Sequence, residues 1–312
     1  MYNYQKESLL TLNSECKTKY ITNDFIGSPE LKNRYGSMRD VLKVVATEGF
    51  NINSISKISS DPEYDLSYIE VPVNHGYFFN QVINISGSTN DLINKDYRIL
   101  EASKTQLIVR SGGLDLTTEE SSLKIKIAPL GFTLVFENIA EGIIILKNTS
   151  TTSPGFLKII DKIPPNGYLT NWAKYARVVM GNKITTEGEF VDNIKVPYHS
   201  DFPDVEKSGN NVSGASGIHG YAKWEYDIMP SAWNTQENHN IPQELTTKNW
   251  KIVGDNNTFY FMVNSAANSR YCSFTGFGNY ISDNPSADSS NICLQAKEGF
   301  EKASTYDFHN YA

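Results

Sequence analysis

Apolar residues along this chain recur at every second position in short runs, and the runs end about every ten residues at Gly, Asn, Asp, Ser or Pro. That spacing predicts strands at 55–58, 67–71, 81–85, 97–102 and 106–109, divided by Asp-Pro, Asn-His-Gly, Ser-Gly-Ser-Thr-Asn and Ser-Lys-Thr turns. Strands so short and evenly spaced belong to a small barrel or sandwich. The run 123–127, Leu-Lys-Ile-Lys-Ile, alternates cleanly and reads as a half-exposed strand, whereas 142–146, Gly-Ile-Ile-Ile-Leu, is apolar throughout and reads as a buried one. Residues 156–161 and 176–180 look like paired core strands, with a Pro-Pro-Asn-Gly loop after the first.

The richest pattern is 250–263. Trp-Lys-Ile-Val leads into Gly254, Asp255, Asn256 and Asn257, then into an aromatic strand from Thr258. The turn residues tolerate positive φ, so a hairpin is expected. Phe259, Phe261 and Val263 share one face of the strand and Tyr260 and Met262 the other, so cover on both sides is expected. The Gly276-Phe277-Gly278 that follows reads as a β-bulge or tight turn. Helical period appears once with force: Met38, Val41, Leu42 and Val45 fall on one stripe, with Ser37 as N-cap, Asp40 in the capping-box place and Gly49 as the stop.

The expected fold is therefore mainly β, with one or two short helices and small β-barrel or sandwich modules in tandem. Residues 1–54 form an N-terminal segment whose amphipathic helix, 37–48, packs on the β units. Residues 55–127 form a first β module. Residues 128–296 form a second, larger β domain with a long polar loop at 199–220, and 297–312 form a C-terminal arm with interleaved aromatics.

Length and composition fit that picture: 312 residues exceed one domain of roughly 150, and aromatics are high at 12% beside abundant Asn, Ser, Thr and Gly. A net charge of -7 argues against a nucleic-acid partner, which requires clustered cations to displace phosphate counterions. No window approaches the ~18 apolar residues of a membrane span. The opening MYNYQKESLLTLNSECK lacks the basic and apolar regions of a secretory leader, so the chain is expected to be made in the cytoplasm and to be soluble there.

Reactive groups form no recognisable constellation. Cys16, Cys272 and Cys293 have no Cys-x-x-Cys spacing and read as reduced residues, although Cys272 and Cys293 could pair across adjacent strands. His75, His199, His219, His239 and His309 never fall at spacings that aim two rings at one metal, and His199, Asp201 and Asp204 read as a solvated loop. Glu187, Glu189 and Asp192 could supply the paired carboxylates of a glycosidase, but read better as strand-end surface groups. Gly214-Ala215-Ser216-Gly217 lacks the strand of a nucleophile elbow, and Gly112-Gly113 lacks the Lys-Ser of a phosphate loop. No catalytic residue, cofactor or metal is expected.

Four segments in order resemble a family of tailed-bacteriophage virion proteins. They are Gly36-Ser-Met-Arg-Asp-Val-Leu42 with Gly49-Phe50; His75-Gly-Tyr-Phe-Phe-Asn-Gln-Val-Ile-Asn-Ile-Ser-Gly-Ser-Thr-Asn90 with Tyr97-Arg98-Ile99; Ala128 to Phe136 with Phe156 to Asp161 and Trp172 to Val178; and Trp250 to Ser282. Lys158-Ile159-Ile160-Asp161 departs from the family's Arg-Val-Asp-Asp turn, and Asn279 stands where the family has Asp. The resemblance implies a structural role in the tail or baseplate, with other virion proteins and further copies of the chain as partners, synthesis in the bacterial host cytoplasm, and no catalytic residue. Trp233, Tyr306, Phe308 and Tyr311 are the expected interface anchors. A head decoration or cement protein, and a receptor- or carbohydrate-binding module contacting host surface glycan, are the alternatives.

Overall fold

The computed structural model describes residues 18–150, 154–164, 174–190, 195–196, 221–227, 247–264, 272–280, 290–298 and 309–311. The chain is mainly β, as expected, with antiparallel sheets and, among the described residues, one short helical segment. It divides into two units. Gly49–Ala128 with Phe25–Gly27 belong to the first, and Ser28–Glu48 with the chain from Pro129 belong to the second. The segment 1–54 is therefore not one structural piece: its helix groups with the second unit, and its last strand, Phe50–Ser54, builds the first.

The first unit is a ladder that closes on itself. Phe50–Ser54 and Lys57–Asp61 are two halves of one bent strand, because pairing with 118–127 runs through both. Between the halves, Ile55 N–H donates to Leu123 C=O at 3.1 Å and Glu120 N–H donates to Ser56 C=O at 3.0 Å. From there Leu66–Glu70, Gln106–Arg110, Asp96–Ala102 and Val82–Ser86 pair in turn, and Val82–Ser86 returns to Lys124–Ile127. Asp96–Ala102 turns a corner of the ring, with a register shift between Ile99 and Glu101. Alternate side chains point inward, so Ile58, Ile69, Ile83, Ile85, Tyr97, Ile99, Leu107, Val109, Leu123 and Ile125 fill the interior.

Among the described residues the second unit stacks two larger sheets, beside a two-stranded pair of Leu31–Lys32 with Thr247–Lys248. One runs Thr133–Asn138, Ile143–Lys147, Phe156–Ile160, Lys174–Gly181, with Lys195–Val196 and Ala222–Asp227 sharing the far side of the last. The other contains Trp250–Gly254, Phe259–Val263, Cys272–Tyr280, Ser290–Glu298 and His309–Tyr311. Trp224 of the first sheet meets Phe259 of the second edge-on at 6.1 Å, and Phe132 meets Phe259 at 5.5 Å. The C-terminal residues do not form a separate arm throughout, since Ser290–Glu298 crosses the expected boundary and His309–Tyr311 pairs with it.

Three local expectations are corrected. The strand Phe259–Val263 buries Phe259, Phe261 and Val263, but Tyr260 is exposed and stacks on Phe274 of the next strand, so its cover is one-sided. The loop before it is closed by a side chain instead of positive φ: Asp255 Oδ1 accepts the N–H groups of Asn257 and Thr258 at 2.8 and 2.9 Å. Gly276 and Gly278 lie in the middle of a straight strand, where a Cβ at Gly276 would stand 2.9 Å from Phe259 C=O and one at Gly278 would collide with Thr258.

The helical segment stops before Gly49, whose φ is 75°, as expected, but its N-cap and its last turn differ. It runs Ser37–Lys43 and widens to a π-turn at Val44–Glu48. The carbonyls of Val45 and Ala46 there accept N–H groups from Leu130, Gly131 and Phe132 at 2.9–3.0 Å. Its N-cap is Gly36 with φ 88°, and Ser37 Oγ accepts from Lys32 N–H. The orphan N–H groups of Met38 and Arg39 find Asp161, more than a hundred residues away.

Candidate functional site

Residues 71–81, Val-Pro-Val-Asn-His-Gly-Tyr-Phe-Phe-Asn-Gln, contain no Asp, Glu, Lys or Arg and join two barrel strands. Two of the rings are drawn inward. His75 Nδ1 accepts Tyr77 N–H at 2.9 Å, which leaves Nε2 to donate to Ser103 C=O at 2.8 Å. Tyr77 stacks on His75 at 5.4 Å, and its hydroxyl donates to Asn51 C=O at 2.5 Å while accepting Asn53 Nδ2–H at 3.1 Å. Burial pushes that phenol up to about 12.

Three residues of the loop, Asn74, Gly76 and Asn80, are left-handed, and between the last two Phe78 and Phe79 face out while His75 and Tyr77 stay buried. Phe78 N–H donates to Gln81 Oε1 at 2.7 Å, Asn80 N–H donates to Ile99 C=O at 2.9 Å, and Arg98 donates to both Asn80 oxygens at 3.1 Å. On this frame Phe78 is 50% and Phe79 71% exposed. Val73, Ile26 and Ile52 are exposed beside them: Ile26 lies against Gly76, and Ile52 follows Asn51, whose side chain donates to His75 C=O at 2.8 Å. The loop thus presents two exposed rings on a backbone that is already fixed, with the Arg98 guanidinium at its Asn80 end, an arrangement that costs little to bury against a partner.

A further set of displaced titratable groups lies inside the second unit. Asp227 is fully buried with Lys248 Nζ at 2.6 Å and Lys174 Nζ at 3.9 Å. Burial raises the aspartate and lowers Lys174, in each case against the pull of the opposite charge. Asp161 and Tyr226 are also buried and both are shifted upward, first by desolvation. Tyr35, packed near them, is raised for the same reason. Asp161, Lys174, Tyr226, Asp227 and Lys248 are all buried, and Tyr35 is half-buried.

Of the residues singled out from sequence, Trp233, Tyr306, Phe308, His199, Asp201, Asp204, Asp192 and the 214–217 stretch lie outside the described residues. Tyr311 is opposite Cys293 in the closing strand pair. Glu189 is held by the buried Lys158 at 3.1 Å, and Glu187 is lowered by the Thr186 hydroxyl. Cys272 is opposite Glu298 and Cys293 opposite Phe277, five positions apart on neighbouring strands, or about 17 Å, too far for a disulfide. Among the described residues no three metal-ligating side chains converge, and no helix is long and apolar enough to cross a membrane. The exposed pair Phe78 and Phe79 was not singled out; its one local signal is two adjacent Phe between turn formers, Gly76 before and Asn80 after. No known family model and no curated protein matches this chain.

Proposed function

We propose that this chain is a structural component of a bacteriophage virion, in the tail or baseplate, and that it acts through protein–protein contacts centred on the 71–81 loop. The observation that carries the reading is the fixed, outward pair Phe78 and Phe79. It falls inside His75 to Asn90, one of the four strings on which the resemblance to phage virion proteins rests. The mechanism is geometric. The closed barrel fixes the ends of the loop, His75 and Tyr77 anchor its middle, and the two rings enter an apolar pocket on another virion protein or another copy of the chain. Phe, Val and Ile with no charged neighbour in the loop suit such a pocket better than the hydroxyls of a glycan.

The test is location. Particles purified away from the lysate should contain the chain at a fixed number of copies per particle, and particle reconstruction should place the 71–81 loop against a neighbour. Recovery of the chain only in the cytosol of infected cells would refute the assignment.

A further inference from the structure

One buried contact in the second unit holds an amine against a carboxyl group. Asp227 ends the strand Ala222–Asp227, and across the ladder it stands opposite Lys174, the first residue of Lys174–Gly181. Lys248 reaches the same carboxyl from another element, the two-stranded pair of Thr247–Lys248 with Leu31–Lys32. The side chains are enclosed, Asp227 at 0% exposure, Lys174 at 5% and Lys248 at 6%. Lys248 Nζ stands 2.6 Å from Asp227 Oδ1, and Lys174 Nζ stands 3.9 Å from Oδ2.

The closer contact is short enough for a hydrogen bond but out of line for one. Among the described residues, neither Asp227 oxygen accepts a hydrogen bond of ordinary geometry. A carbon–oxygen bond adds about 1.23 Å, so Lys248 Nζ is no more than about 3.8 Å from the carboxyl carbon. Reacting atoms poised for attack stand about 3–3.5 Å apart.

The surroundings favour loss of both charges. Burial pushes the Asp227 carboxyl up and the Lys174 ammonium down, each toward its neutral form. An amide in place of an ammonium and a carboxylate removes the cost of keeping two ions out of water. Amine and acid held together in a dry site also have the proximity that the same groups lack when free in solution.

We propose that Lys248 and Asp227 condense in the folded chain to an intramolecular amide, an autocatalytic cross-link between the strand Ala222–Asp227 and the Thr247–Lys248 pair. The step balances without another reagent. A proton passes from Lys248 Nζ to Asp227 Oδ1 across the 2.6 Å contact, leaving an amine and a carboxylic acid. Nζ then bonds to the carboxyl carbon, and the Lys174 ammonium beside Oδ2 stabilises the negative charge that forms there. The surplus proton on the nitrogen passes to the Oδ1 hydroxyl, the carbon–Oδ1 bond breaks, and one water leaves. One ammonium and one carboxylate thus become one amide and one water, and Lys174 ends as it began. The bond closes the chain from 227 to 248 into a ring.

Mass spectrometry supplies the test. The purified full chain, folded and then denatured, should weigh one water less than its sequence. Proteolysis and tandem mass spectrometry should then find a branched peptide joining Lys248 to Asp227. Lys248→Arg keeps the positive charge without a condensing amine, and its chain should return to full mass. A folded wild-type chain at full sequence mass would overturn the proposal, as would a missing water traced to another position, a bridge carried by Lys174, or the same loss in K248R. The wild-type result decides the matter whether or not K248R folds, and it needs no virion, so it stands apart from the assembly reading.

Discussion

Replacing Phe78 and Phe79 together by serine separates contact from fold. A phenylalanine side chain presents about 200 Å², so exposures of 50% and 71% leave about 100 and 140 Å² for a partner to cover. At about 25 cal/mol per Å² the two rings offer at most about 6 kcal/mol. Ordering and imperfect fit reduce that, and about 2 kcal/mol per ring is a reasonable hot-spot value. Each substitution should then weaken the contact about 30-fold and the pair about a thousandfold. The frame of the loop is held by His75, Tyr77, Asn80 and Gln81, none of which changes, so the free energy of unfolding should move by less than about 1 kcal/mol. The assay is competition: wild-type and F78S/F79S chains expressed at equal levels, with their ratio in purified particles read by quantitative mass spectrometry and their stability by urea unfolding. Equal incorporation would refute the reasoning. So would a loss of several kcal/mol in stability, which would make the rings part of the core.

Three further outcomes follow from the structure. Phe259→Ala removes a ring with zero exposure that touches Phe132 and Trp224 edge-on and should cost about 4 kcal/mol of unfolding free energy; Tyr260→Ala on the exposed face should cost under about 1, and equal losses would contradict one-sided cover. Gly278→Ala pushes a methyl into Thr258 of the neighbouring strand and should lower stability by about 1–3 kcal/mol, whereas Gly112→Ala meets nothing within 4 Å and should show only the strain of its φ of 72°; thermal unfolding that ranks them the other way would remove the packing account. Glu120, on the surface, is lowered to about 2 by the hydroxyls of Ser88 and Thr118 and the N–H of Thr89, so its contribution is present above 4.5 and is lost as the pH falls through about 2. Glu120→Gln should therefore melt below wild type at neutral pH and converge with it in strong acid, and a gap that persists at pH ~1.5 would exclude the charge as its source.

The barrel strands were legible because their signals are local. The alternation that predicted 67–71, 81–85, 97–102 and 106–109 appears as Leu66–Glu70, Val82–Ser86, Asp96–Ala102 and Gln106–Arg110, with boundaries moved by one residue at most. Period two says which face is apolar; it does not say whether anything covers it, and Tyr260 shows the difference. Closure of the ring, the cap on Met38 and Arg39, and the glycines opposite Tyr260 and Thr258 all depend on chain that is distant or on a neighbouring strand, so no window around them contains the signal. The candidate interface was half legible. Its string stood out, but which rings point outward is decided by the left-handed residues Asn74, Gly76 and Asn80, whose φ is a property of the folded loop.

The abundance of Asn, Asp, Ser and Thr has a physical use that bears on function. Loop after loop, a short polar side chain takes the place of a missing ladder partner. Asp65, itself left-handed, accepts Gly113 N–H at 2.7 Å and the Ser111 hydroxyl at 3.1 Å, and is lowered despite its burial. Asp255 closes its hairpin, and Asn94 ties Ser88 from both sides at 2.9 and 3.0 Å. Such bonds remove backbone freedom before any partner arrives, and ordering a loop beforehand lowers the entropy cost of contact. Such bracing suits the proposed structural role, and among the described residues the 71–81 loop couples it to two uncovered rings, Phe78 and Phe79.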